Sequence, residues 1–84
     1  MQDDALKSVW FTILDQLIAR QPSRGYALAN TVKRIHDDGE VLRLDCDNRL
    51  QIQLCQQIQF KDLLTKEVEQ RLGIRQVIFN YIGS

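Results

Sequence analysis

The first twenty residues carry apolar side chains at steps of three and four, the spacing of one face of an α-helix. This stripe consists of Leu6, Val9, Trp10, Ile13, Leu14, Leu17 and Ile18. Asp3 and Asp4 stand where acidic side chains favour a helix N-terminus. Pro22 disfavours helical geometry in the residue before it. The pattern predicts an amphipathic helix that ends near Gln21, followed by a break over residues 22–25.

A β-hairpin is predicted in the middle of the chain. Two strand-like segments, 31–36 and 41–46, flank the sequence Asp37-Asp38-Gly39-Glu40. An Asp-Gly pair in this position is a strong hairpin signal because both turn positions tolerate a positive φ. In the second segment, Leu42, Leu44 and Cys46 alternate with Val41, Arg43 and Asp45. We therefore expect the first set to be buried and the second, including Asp45, to face water. Residues 26–31 predict a short helix before the hairpin.

The second half of the chain predicts a long helix with a bend. Apolar residues recur at helical spacing over residues 50–72, and their stripe changes phase near residues 59–61. Asp47 or Asn48 can cap the start of this helix. Gly73 stands where a left-handed residue commonly ends a helix.

A final strand over residues 76–82 completes the pattern, because apolar and polar positions alternate there. The 84 residues suffice for one core, so residues 1–84 are predicted to form a single domain. The element order predicts an α+β fold, with helices packed on one three-stranded mixed sheet.

Composition narrows the function. Eleven basic and eleven acidic residues give zero net charge, which argues against binding driven by phosphate neutralisation. Cys46, Cys55 and the single histidine, His36, lack the spacing of a zinc site, so neither metal nor cofactor is expected. The two cysteines are interpreted as buried, reduced thiols, although the sequence leaves a disulfide open. The chain lacks a long apolar segment and a signal-peptide pattern, which predicts a cytoplasmic location without membrane contact.

The sequence contains no arrangement typical of an active site. Its acidic pairs fall at a terminus, a hairpin tip and a helix start, where capping or solvated roles account for them. No two of the four glycines have the spacing of a phosphate loop or of the GxxG that clamps nucleotides in KH domains. The sequence therefore predicts a binding protein rather than an enzyme.

Three features are candidates for binding. Trp10 is either core or, if one edge is exposed, an anchor for a partner. Lys33, Arg34 and Arg43 form either a basic strip for single-stranded nucleic acid or an ordinary solvated sheet surface. A cluster of glutamines gives the second half an uncharged polar face, suited either to an interface or simply to solubility: Gln51, Gln53, Gln56, Gln57 and Gln59.

An ordered set of residues resembles the N-terminal domain of DnaA, the bacterial chromosomal replication initiator. The set consists of Ser8-Val9-Trp10, Leu14, Leu17, Pro22, Tyr26, and residues 41–44, 47–50 and 77–83. The spacings from Trp10 to Pro22 and to Asn48-Arg49 match without gaps, and the likeness covers about residues 6–83. Similar element orders occur in the KH-like domain of the clamp-loader tau/gamma subunit and in DciA-type domains.

The resemblance implies a KH type II-like fold without the GxxG loop, and protein–protein contacts in bacterial DNA replication. Trp10 and Leu14 match the helix through which that family self-associates. Four residues match positions for docking of the replicative helicase or of replication regulators: Tyr26, Asn48, Arg49 and Leu50. Two alternatives remain: a weak single-stranded nucleic-acid-binding KH-like domain that uses the basic strip of the hairpin, and a tau-type domain that binds polymerase or helicase.

Overall fold

The computed structural model describes residues 3–83. Met1, Gln2 and Ser84, which the single-domain prediction includes, lie outside the described residues, as does the Asp3 side chain with its predicted role at the helix start. The described chain forms four helices and three strands. These are α1 (Asp3–Arg20), α2 (Pro22–Thr31), β1 (Val32–Asp37), β2 (Val41–Cys46), α3 (Arg49–Cys55), α4 (Ile58–Leu72) and β3 (Gln76–Tyr81).

The three strands form one mixed sheet in the order β1-β2-β3. β1 and β2 are the antiparallel arms of the predicted hairpin, and β3 pairs parallel to β2 after the crossover through α3 and α4. Leu44 in the central strand is opposite Ile35 on one side and Phe79 on the other. The predicted α+β layout, with helices on a three-stranded mixed sheet, is confirmed.

The core lies between the helices and one face of the sheet. The apolar stripe of α1 packs there with the inward residues of β2 and with Phe60, Leu64 and Val68 of α4. Leu42, Leu44 and Cys46 are fully buried, as their alternation predicts. Complete burial of one leucine side chain contributes about 1.5–3 kcal/mol, so Leu42 and Leu44 contribute substantially to the stability of the domain.

The junction between α1 and α2 is tighter than the sequence predicts. The expected break over residues 22–25 is wrong, because these residues form the first turn of α2, with Pro22 at the first position. Proline fits that position since its missing N–H would have no partner inside the helix. A Cβ built on Gly25 would lie 2.7 Å from the Cα of Ile18, so the glycine allows the backbones of α1 and α2 to approach closely.

The second half contains two helices, with the break earlier than expected. Helix α3 ends at Cys55 and α4 begins at Ile58, so the predicted bend near residues 59–61 is correct in kind but misplaced. Gln57 adopts an extended conformation, with φ −60° and ψ 140°, which redirects the chain. The early break turns Phe60 into the core and leaves Ile58 exposed.

Local chemistry defines the other ends of these elements. Asn48 caps α3, because its side-chain oxygen accepts a hydrogen bond from the backbone N–H of Gln51 at 3.0 Å. Asp47 instead accepts a hydrogen bond from the hydroxyl of Thr31 at 3.3 Å. Gly73 ends α4 in the left-handed region with φ 72°, as predicted.

Candidate functional site

A groove runs between helix α1 and strand β1. Its volume is about 460 Å³, and it is open to solvent. Its apolar lining comes from α1, from the end of α2 and from β1: Leu6, Trp10, Phe11, Leu14, Ala29, Val32 and Ile35. Its charged or titratable lining consists of Lys7, Lys33, Arg34 and His36. We call this surface the α1–β1 groove.

Helical periodicity explains why α1 contributes this wall. Lys7, Trp10, Phe11 and Leu14 stand at positions i, i+3, i+4 and i+7, so they share one face of the helix. Trp10 and Leu14 also turn into the core, where they are 5% and 6% exposed. Phe11 lies on the flank of the apolar stripe and remains 61% exposed. The groove therefore has a buried floor and an aromatic side chain at its rim.

Strand β1 forms the opposite wall because it is an edge of the sheet. Within residues 3–83 it pairs with β2 alone, and each of its residues is at least partly exposed. The β1–β2 register shifts between Val32 and Arg34, which places a bulge at Lys33. Edge strands present unpaired backbone N–H and C=O groups on their free side. The groove thus combines an apolar floor with a strand edge.

A buried carboxylate organises the other face of the sheet. Asp45 is only 2% exposed, so the prediction that it faces water is wrong. Its carboxylate receives hydrogen bonds from Asn80 Nδ2 at 3.0 Å and Arg43 Nε at 3.1 Å, and it lies 3.1 Å from His36 Nε2. Arg34 Nε is 3.8 Å away. The register places Arg34, Asp45 and Asn80 in one cross-strand row, and the longer side chains cover the aspartate.

The ionised form of Asp45 is stabilised in this setting. Burial by itself raises the pKa of the carboxyl group. The Asn80 hydrogen bond and the Arg43 guanidinium outweigh that effect, so the pKa of Asp45 lies below its usual range. A single negative charge therefore holds several cationic or polar side chains in place across all three strands.

The predicted basic strip is partly neutralised by its neighbours. Arg34 and Arg43 pair with Asp45, and Lys33 Nζ lies 3.5 Å from Asp47 Oδ2. Of the three residues of the strip, Lys33 and Arg34 line the groove and Arg43 does not, although Arg34 and Arg43 share the outer face of the sheet. The structure thus brings two residues of the strip together with Trp10 and Leu14, the predicted self-association pair.

The predicted partner-docking residues lie elsewhere. Tyr26 is exposed on α2, and Leu50 is 67% exposed at the start of α3. Asn48 serves as a helix cap, and the Arg49 guanidinium stacks 4.4 Å from the centre of the Tyr81 ring. None of these four residues is among those that line the groove, so they form a separate candidate surface.

The exposed side of α3 extends that second surface. Gln53 follows Leu50 by one helical turn, and Gln57 and Ile58 occupy the junction with α4. Gln57 accepts a hydrogen bond from the Arg24 side chain of α2. We call Leu50, Gln53, Gln57 and Ile58 the α3 surface. It contains part of the glutamine cluster and two strongly exposed aliphatic side chains.

Phe11 and the edge of β1 were not predicted as site components from the sequence. The apolar stripe predicted for α1 does not include Phe11. The set at 7, 10, 11 and 14 is the signal that could have identified the groove wall. The opening itself depends on how far α1 extends over β1, which is a tertiary property.

Within residues 3–83, no cluster of three His, Cys, Asp or Glu side chains is arranged to hold a metal ion. None of the described helices combines the length and apolar character needed to cross a membrane. Comparisons with protein-family models, curated proteins and solved structures found no match to this chain.

Proposed function

We propose that this chain is a non-catalytic protein-interaction module of bacterial DNA replication, with the α1–β1 groove as its main contact surface. The observation that carries the proposal is the groove: an apolar concavity with Phe11 exposed at its rim and a free strand edge along one side. Exposed apolar concavities bordered by polar groups are typical of sites that bind partners.

The replication context comes from the resemblance to DnaA N-terminal domains. In that family the first helix mediates self-association, and here Trp10 and Leu14 occupy the matching positions. Both side chains are largely buried in the monomer, so a direct contact falls to Phe11 beside them. Leu50 on the α3 surface is the counterpart for docking of a helicase or regulator, and its exposure suits that role.

Two measurements with purified proteins test this proposal. The first is binding of the chain to the replicative helicase of the same bacterium, by biolayer interferometry. The second is self-association, by analytical ultracentrifugation. We expect Phe11→Ser to weaken at least one interaction about tenfold, because an aromatic anchor contributes about 1–2 kcal/mol or more at an interface.

The matched control removes an exposed apolar side chain that belongs to neither the α1–β1 groove nor the α3 surface. Ile78→Ser serves this purpose, because Ile78 lies on the outer face of the sheet. Leu50→Ser tests the α3 surface in the same assays. Absence of both helicase binding and self-association in the parent chain contradicts the proposed function. Equal binding by Phe11→Ser and Ile78→Ser removes the groove from it.

Weak binding of single-stranded nucleic acid is the second candidate, because Phe11 could stack on a base beside Lys33 and Arg34. The ion pairs with Asp45 and Asp47 count against it, since they offset charge that phosphates would need. A salt titration with a labelled oligonucleotide tests this candidate, because phosphate-driven binding weakens steeply as the salt concentration rises. The tau-type alternative is tested by replacing the helicase with the replicative polymerase subunit.

A further inference from the structure

The free edge of β1 has unused hydrogen-bonding capacity. Among the described residues, no hydrogen bond from outside the β1–β2 pair reaches the backbone of residues 33–36. A strand paired on one side keeps alternate N–H and C=O groups on the other. Each residue of β1 is at least partly exposed, and residues 32–36 of this strand line the open groove.

The groove adjoins this edge and can receive side chains from a strand placed there. Six residues of β1 extend over roughly 20 Å, enough to pair with a segment of similar length. Successive side chains of an added strand point to opposite faces, so every second one turns toward Trp10, Phe11 and Ile35. A volume of about 460 Å³ lies within the usual size of ligand pockets.

The charges that line the groove disfavour some classes of ligand and favour others. Among the residues whose side chains the structure describes, those that line the groove include the basic Lys7, Lys33 and Arg34 and none that is acidic. Asp45 forms an ion pair with Arg34, and Asp47 forms one with Lys33, so both carboxylates reduce the net positive charge of the groove. The remaining charge suits one or two carboxylates on a mostly apolar segment rather than a polyphosphate strand.

A second copy of β1 is a poor occupant of this edge. Pairing of two identical strands would bring Lys33 and Arg34 of each copy near the same residues of the other, and like charges across strands are destabilising. An acidic partner strand meets no such repulsion.

We propose that the α1–β1 groove binds an extended peptide segment in which acidic and apolar residues alternate, and that this segment adds as a fourth strand to β1. The inference rests on the proposed function, because it names the kind of partner that the interaction module takes. Backbone hydrogen bonds to β1 supply affinity, and the groove selects the side chains. The α3 surface has no part in it.

A selection from random peptides identifies the sequences that bind. Displayed peptides of about twelve residues, twice the length of β1, are selected on the intact chain after depletion on Phe11→Ser. We expect the enriched peptides to carry net negative charge and alternating apolar residues. The inference is overturned if nothing is enriched, or if the enriched peptides are neutral or basic.

Synthetic versions of an enriched peptide separate strand addition from side-chain docking. Trp10 is the single tryptophan of the chain and lines the groove, so its fluorescence reports occupancy. We expect N-methylation of the amides that face β1 to weaken binding about tenfold or more, because each methyl group removes a donor and blocks the edge. N-methylation of the alternate amides is the matched control. Equal binding by both methylated peptides overturns strand addition.

Charge reversal tests the acidic character of the ligand. Lys7→Glu is expected to weaken the acidic peptide severalfold, whereas Lys66→Glu, on α4 outside the groove, leaves binding unchanged. Equal effects of Lys7→Glu and Lys66→Glu on peptide affinity would overturn the charge argument. If helicase binding or self-association persists while no peptide binds, this inference alone fails. If helicase binding, self-association and peptide binding are all absent, the proposed function fails as well.

Discussion

Asn80 and Asp45 are neighbours across the parallel strands β3 and β2, and the Asn80 amide donates a hydrogen bond to Asp45 Oδ1 over 3.0 Å. The two residues are far apart in sequence and meet only because β3 adds beside β2. Arg34 and His36 approach the same carboxylate from β1. One buried charge therefore links all three strands of the sheet.

Replacement of Asp45 is expected to destabilise the fold. Asp45→Ala leaves Arg43, Arg34 and His36 close together without their common acceptor. Hydrogen bonds to a charged group contribute about 1.5–3 kcal/mol, so we expect a loss of that order in the free energy of unfolding, measured by urea denaturation. Asp62→Ala, which removes an exposed ion pair with Lys66, is the control and should cost less than about 0.5 kcal/mol. Similar losses for the two variants would contradict a structural role for the cluster.

Acid should remove the contribution of Asp45. Its pKa is lower in the folded protein than in the unfolded chain, so the stabilisation is complete above the unfolded value of about 3.9 and is lost as the pH falls through the lowered pKa. Asp45→Asn lacks this titration. The stability difference between the parent and Asp45→Asn is therefore expected to shrink from pH 5 downwards, as measured by urea denaturation at a series of pH values. A difference that stays constant or grows in acid would show that Asp45 is not held in its charged form.

Gly25→Ala is expected to destabilise the contact between α1 and α2. Alanine is the better helix former by about 1 kcal/mol, but here its Cβ would meet the backbone of Ile18 at 2.7 Å. Overpacking of this kind costs about 1–3 kcal/mol. A loss of 1 kcal/mol lowers the melting temperature of a domain this size by about 4–8 °C, which circular dichroism detects.

Two further variants make this test specific. Ser23→Ala, at an exposed position of α2, should change stability by less than about 0.5 kcal/mol. Trimming Ile18 to alanine in the Gly25→Ala background should not restore stability, because the closest atoms include the Ile18 backbone. Full rescue by Ile18→Ala would show that the side chain, not the backbone approach, sets the requirement for glycine.

Features governed by local chemistry were predictable from the sequence, and features governed by long-range packing were not. The hairpin, the Asn48 cap and the left-handed Gly73 each depend on a few adjacent residues. Pro22 was ambiguous, because a proline both ends one helix and suits the first position of the next. The resulting error concerned only the start of α2.

The candidate site lay largely beyond the reach of sequence patterns. Alternation placed Asp45 on the outer face of β2, which is correct, but could not show that Arg34 and Asn80 would cover it from two other strands. Likewise, the stripe of α1 predicted Trp10 in or near the core, whereas the exposure of Phe11 depends on how much of β1 the helix leaves uncovered. Neither fact is encoded in a local spacing.

The two cysteines should be nearly unreactive in the folded protein. Burial raises the pKa of the Cys46 thiol to about 12 and that of Cys55 to about 11. At pH 8 only about one thiol in a thousand or fewer is then the reactive thiolate. We expect neither cysteine to react with a thiol reagent such as DTNB at the rate of free cysteine, and both to react in denaturing urea. Stoichiometric labelling of the native chain at the free-thiol rate would contradict their burial.

Stability measurements distinguish between a structural role and a partner-binding role for Arg49. Its guanidinium lies over the ring of Tyr81, so Arg49→Ala should lower the free energy of unfolding by about 0.5–1 kcal/mol, the usual contribution of an exposed cation–π pair. A double-mutant cycle with Tyr81→Leu, measured by urea denaturation, should return a coupling energy of the same size. Arg75→Ala, which removes an exposed arginine beside Glu69, is the control. If the effects of Arg49→Ala and Tyr81→Leu simply add, the stacking contributes no stability, and Arg49 is available to bind a partner beside Leu50.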